Sequence, residues 1–200
     1  MEKLGNAILT MAQRARKSID MTAARDIIQS KIPQIGKTTS RAWVLEALGG
    51  QLAKTLSTGN CQYYAITESL LQQHLKFLED DSLFIELTMM LKFGLQYANS
   101  IDFDHEAPVS HIASLAYGPT GTGKPTGFEA ITAFYAALAT SSSERTARLP
   151  VELWGGMDTL RMAAKLLRRR IDVIVDGKDS SEVSLLSFQP QVVRNRATKA

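Results

Sequence analysis

Apolar residues recur at three- and four-residue spacing from residue 2 to about 30 (Leu4, Ile8, Met11, Ala12, Ala15, Ile19), and no proline intervenes before Pro33. That period predicts one or two amphipathic helices. It returns over residues 41–56, over 62–79 (Tyr63, Ile66, Leu70, Leu71, Leu75, Leu78), and over 83–97, 128–139 and 157–169. The breaks carry turn chemistry: Ser57-Thr58-Gly59-Asn60, Asp80-Asp81 and residues 140–143. The rhythm changes late in the chain. Ile171 to Val175 is a β-branched run closed by Asp176-Gly177 and reads as a strand, and residues 183–188 look like a second strand. Residues 99–127 hold Pro108, Pro119, Pro125 and the glycines from Gly118 to Gly127, and predict a long loop or two short strands. The implied class is α+β, with helices packed around a small sheet. Residues 1–40 read as an N-terminal helical extension, 41–188 as the domain and 189–200 as a basic tail.

At 200 residues, 44% hydrophobic and 22% charged, the chain has enough apolar side chain for one core and not for a second full domain. No apolar run nears the roughly 18 residues of a membrane span, and the first 20 residues are charged and amphipathic. A protein of the cytoplasm or nucleus, without a membrane partner, is expected. The net charge of +3 is uneven: residues 79–106 hold seven acids against one lysine, residues 160–200 nine bases against four acids. Solvated helix faces and a basic tail account for this, as does a pair of partner-contacting surfaces, and neither half calls for nucleic acid. The single cysteine, Cys61, excludes an internal disulfide and a cysteine-based zinc site.

Cys61 stands where a turn hands over to a helix. A helix N-terminus stabilises a thiolate through its unpaired N–H groups and the positive end of its dipole. Gly59 and Asn60 allow a tight turn that lets successive N–H groups converge on an oxyanion. The competing reading is a small buried hydrophobe at a helix start.

Gly59-Asn60-Cys61-Gln62-Tyr63-Tyr64-Ala65-Ile66 resembles the catalytic-cysteine motif of the ovarian-tumour (OTU) class of papain-like cysteine proteases. Some ninety residues on, Leu153-Trp154-Gly155-Gly156-Met157-Asp158-Thr159-Leu160, followed by Ala163, Ala164, Leu166, Leu167 and Ile171-Asp172-Val173-Ile174, resembles that family's second block: a Trp-Gly-Gly turn, a helix and a core strand. The resemblance implies an OTU-like fold with Cys61 opening a helix beneath a cleft. It implies thiol-dependent cleavage after the C-terminus of ubiquitin or a ubiquitin-like protein, and no cofactor. Gly155 and Gly156 are expected where a side chain would clash, Trp154 as a core anchor of the turn, and Ile171 to Val175 buried in the sheet. Arg168-Arg169-Arg170 suits a helix C-terminus. If the acids around Asp80, Asp81, Glu86, Asp102 and Asp104 line the cleft, they would attract the arginine-bearing ubiquitin tail.

Two departures bear on activity. The family's general base is a histidine on a later strand, and none follows His111 here; the acid three residues before the cysteine is Thr58. A chain truncated before its histidine, or an inactive ubiquitin-binding or scaffolding relative, fits both. On one continuous helix His74 would lie roughly 20 Å from Cys61 at about 1.5 Å per residue, which excludes it unless the helix breaks. His105 and His111 fall in the irregular segment and read as surface residues. A third reading, nucleotide binding, rests on Gly118-Pro119-Thr120-Gly121-Thr122-Gly123-Lys124-Pro125. Pro125 stands where a P-loop needs a magnesium-binding hydroxyl, and it removes an amide from the anion cradle.

Overall fold

Residues 82–101 carry the apolar period through twenty positions without a proline, and they form the helix around which the others gather. The computed structural model describes residues 1–15, 40–47, 56–72, 81–101, 127–176 and 183–190. In chain order these hold α1 (Glu2–Ala15), α2 (Arg41–Ala47), α3 (Cys61–Leu71), α4 (Ser82–Ile101), α5 (Gly127–Thr140), a 3-10 turn (Val151–Leu153), α6 (Met157–Leu167), β1 (Ile171–Asp176) and β2 (Val183–Phe188). The described fold is mostly helical with one two-stranded sheet, an α+β arrangement. Among the described residues no helix is long and apolar enough to cross a membrane.

Helix α4 touches α1, α3, α5 and α6. Phe84, Leu87, Leu91, Leu95 and Ala98 recur at helical spacing on its inner side and are fully buried. Each large apolar side chain so buried contributes about 1.5–3 kcal/mol. Helix α1 supplies Ile8 and Ala12 to the same core. It therefore packs as part of the body formed by the later helices. Gly5 makes this possible, because a Cβ there would lie 2.1 Å from the Leu166 carbonyl oxygen of α6.

Strands β1 and β2 pair antiparallel, from Ile171 opposite Phe188 to Asp176 opposite Val183. Val183 and Phe188 turn into the protein, whereas Ile174 and Val175 are exposed. The expectation of a buried β1 is thus corrected. In a two-stranded ribbon each strand has one neighbour, and helix covers at most one face, so a β-branched run need not be core. Helices α1, α3, α5 and α6 also pack on α4 and not around the sheet, which lies at the end of α6.

Candidate functional site

The segment before α3 turns on Gly59, whose φ of +85° lies in the left-handed region. A side chain there would be strained, and a Cβ would meet the Trp154 ring nitrogen at 2.5 Å and Leu149 Cβ at 2.9 Å. The turn is held from both sides: Thr58 N–H donates to Leu56 O at 2.9 Å, and Leu149 N–H donates to Thr58 O at 2.8 Å. Asn60 then occupies the N-cap, and its carbonyl accepts the first helical bond from Tyr64 N–H at 2.9 Å. Its side chain does not cap the helix. Instead Nδ2 donates inward to Ser142 O at 3.3 Å, while Oδ1 is buried without a hydrogen-bond partner. Cys61 is the first helical residue and its thiol is exposed. Exposure removes the reading of Cys61 as a small core hydrophobe. The arrangement is an accessible sulfur beside first-turn amide donors that Asn60 leaves uncapped.

The two sequence blocks dock on each other. Gln62 Nε2 donates to Gly156 O at 3.1 Å, and Thr159 Oγ1 donates to Gln62 Oε1. The same Thr159 hydroxyl accepts Gly156 N–H at 2.9 Å, one half of a capping box on α6. Tyr63 OH donates to Leu153 O at 3.1 Å. Trp154 reaches back over the Gly59 turn, and its indole N–H donates to Leu149 O at 3.2 Å. At 51% exposed, Trp154 is a lid on the turn and not the core anchor expected. The two glycines also part company. A Cβ on Gly155 would fall 1.9 Å from Gln62 Oε1, whereas at Gly156 nothing lies within 4 Å, so the expected clash exists only at Gly155. Helix α6 ends at Arg168 in the left-handed conformation, with Arg168, Arg169 and Arg170 exposed.

Beneath the turn lies a polar layer. Tyr64 OH donates to Glu144 O at 2.8 Å, with Ser143 O at 3.2 Å, and so ties α3 to the corner after α5. Lys92 of α4 is fully buried, and Nζ donates to Ser141 Oγ at 3.1 Å and to Ser142 O at 2.9 Å. The ammonium also stands 5.6 Å from the centre of the Tyr63 ring. Burial pulls the Lys92 amine down to about 8. Burial, and secondly the charge of neighbouring Cys61, pushes the Tyr63 phenol up. Tyr63 therefore stays a neutral hydrogen-bond donor and does not serve as a base near neutral pH.

Other expected residues do not join this cluster. Helix α3 ends at Leu71 with Gln72 in the left-handed conformation, so the continuous helix that excluded His74 on distance does not exist. His74, His105, His111, Asp80, Asp102, Asp104 and the glycine-rich segment 118–126 lie outside the described residues. Asp81 pairs with Arg145 at 3.6 Å. Glu86 lines a groove with Ala7, Met11 and Arg14 in which the Cys61 turn takes no part. Among the described residues no three His, Cys, Asp or Glu side chains are placed to hold a metal ion. Sequence reasoning missed Gln62 and Thr159 as the tie between the blocks, and Lys92 and Ser142 as the layer beneath. Lys92 had a legible signal: it shares the helical face of Thr88 and Leu95 in an otherwise apolar stretch. No family model, no curated protein and no solved structure matches the chain.

Proposed function

We propose that the chain carries an OTU-like thiol site in which Cys61 is the nucleophile of a cysteine-type isopeptidase acting after a ubiquitin-like C-terminus. The observation that supports this reading is the docking of the segment around Cys61 on the Trp154-Gly155-Gly156 turn through Gln62, Tyr63 and Thr159. Two segments ninety residues apart in the chain, each picked out by the same resemblance, build one exposed thiol at a helix N-terminus. In the proposed reaction the thiol proton passes to a base, and the sulfur attacks the carbonyl carbon. First-turn N–H groups hold the oxyanion, and the C–N bond breaks as the amine takes up a proton. Water then cleaves the thioester, releasing the carboxylate and restoring the thiol. The base is His74, His105 or His111, or a histidine supplied from outside this chain.

The second reading, an inactive ubiquitin-binding relative, draws on the lack of any histidine after His111. A ubiquitin probe with a C-terminal electrophile distinguishes the outcomes. An adduct on Cys61 that Cys61→Ala abolishes supports the thiol site. Turnover of a ubiquitin amide then separates protease from inactive relative. No adduct on a folded chain whose Cys61 reacts with small alkylating agents would refute the proposal.

A further inference from the structure

We propose that Lys92 is a positioning residue for the Cys61 turn, holding from below the carbonyl on which the Asn60 side chain rests. The inference deepens the reading of Cys61 as the reacting thiol, and rests on it. Lys92 has no evident packing reason to be a lysine. It sits on the inner face of α4 among leucines, fully buried, and among the described residues no carboxylate pairs with it. A buried ammonium without a counter-ion destabilises a fold unless its hydrogen bonds are well placed.

The bonds it makes converge on one structure. A carbonyl oxygen has two lone pairs, and those of Ser142 receive Lys92 Nζ at 2.9 Å and Asn60 Nδ2 at 3.3 Å. The second acceptor of Lys92, Ser141 Oγ, donates in turn to Leu138 O at 2.6 Å, which anchors that corner to the end of α5. The ammonium also faces the ring of Tyr63, two residues beyond Cys61, whose hydroxyl binds the other block at Leu153. Lys92 thus touches supports on both sides of the thiol: the corner that carries Asn60, and the first turn of α3. With Lys92 gone, Ser142 O keeps one partner, and the corner loses two hydrogen bonds to the central helix. Asn60 is then free to leave the corner and compete for the first-turn amides beside the sulfur, as asparagine does at an N-cap.

The test is a double-mutant cycle of Lys92→Met and Asn60→Ala in the full chain, with three readouts. These are the rate of Cys61 alkylation by iodoacetamide at fixed pH, hydrogen exchange of the Asn60 side-chain amide by NMR, and Tm. Lys92→Met is expected to slow alkylation by about three- to tenfold and to speed Asn60 amide exchange without lowering Tm. In the double variant the rate should match that of Asn60→Ala alone, because Lys92 acts on the thiol through the Asn60 side chain. Alkylation within about twofold of the unsubstituted chain, or effects that multiply in the double variant, would overturn the proposal. Should Lys92→Met fail to fold, Ser141→Ala removes one Lys92 acceptor without touching α3. It should speed Asn60 exchange and slow alkylation, as Asn60 capping of the first-turn amides requires, and the absence of both effects overturns the proposal. A chain that passes this cycle and ignores the ubiquitin probe would retain Lys92 as a positioning residue and lose the protease reading. A chain that reacts with the probe and fails the cycle would do the reverse.

Discussion

Replacing Gly59 by alanine tests whether the turn before Cys61 is built as described. The backbone there has φ of +85°, which costs an L-residue about 1–2 kcal/mol. The new Cβ would fall 2.5 Å from Trp154 Nε1 and 2.9 Å from Leu149 Cβ, so the indole has to move. Moving it forfeits the 3.2 Å bond from Trp154 to Leu149 O, worth about 0.5–1.5 kcal/mol. Together these give about 1.5–3.5 kcal/mol. For a chain of this size each kcal/mol lowers Tm by about 2–4 °C, so a fall of about 3–14 °C is expected. The control is Gly156→Ala. Gly156 has an extended φ of −139°, and its Cβ would meet open space, so the change should stay within about 1 kcal/mol. Thermal unfolding followed by circular dichroism, with coincidence of a second probe as the check on two-state behaviour, measures both. If Gly59→Ala lowers Tm no further than Gly156→Ala, the turn is not held as described.

Lys92 gives a pH signature. Its amine is drawn to about 8 from an ordinary 10.5, so between those values the folded chain sheds a proton that the unfolded chain keeps. Stability should rise with pH through that window, and Lys92→Met should remove the rise. Chemical denaturation is best read below pH 10, the ordinary tyrosine value, above which the raised Tyr63 phenol acts in the opposite sense. Gln62→Ala deletes the bonds to Gly156 and Thr159 and should cost about 1–2 kcal/mol in urea unfolding, while a loss under about 0.3 kcal/mol would mean the two blocks are not tied through Gln62. A fluorescent ATP analogue with magnesium should show no saturable micromolar binding, because Pro125 lacks both the hydroxyl and the amide; binding abolished by Lys124→Ala would revive the nucleotide reading. Ubiquitin amides should be turned over about 10²- to 10⁴-fold below what a positioned general acid–base would give, roughly 3–5 kcal/mol of barrier, and robust Cys61-dependent cleavage by this chain would place one of its own histidines at the thiol.

Local periodicity carried much of the fold. Residues 83–97, 128–139, 157–167, 171–175 and 183–188 adopt the types read for them, because a sustained apolar stripe without proline has few alternatives to a helix, and the β-branched run at 171–175 has few to a strand. The turn at Gly59, opening a helix at Cys61, was legible for the same local reason. Depth was not legible. Trp154 reads as core by composition and sits half outside, and Val175 reads as interior strand and is exposed. A helix or strand fixes which residues share a face, while burial depends on what the rest of the chain lays against that face. Gln62 and Thr159 show the limit most plainly. Each is an ordinary polar residue in its own helix, and only the approach of α6 to α3 makes them partners across the turn that holds the thiol. The sequence by itself determined the helices, the strands and the place of the cysteine; the tertiary structure alone decided which side chains meet, because contacts between segments ninety residues apart are set by packing and leave no local pattern.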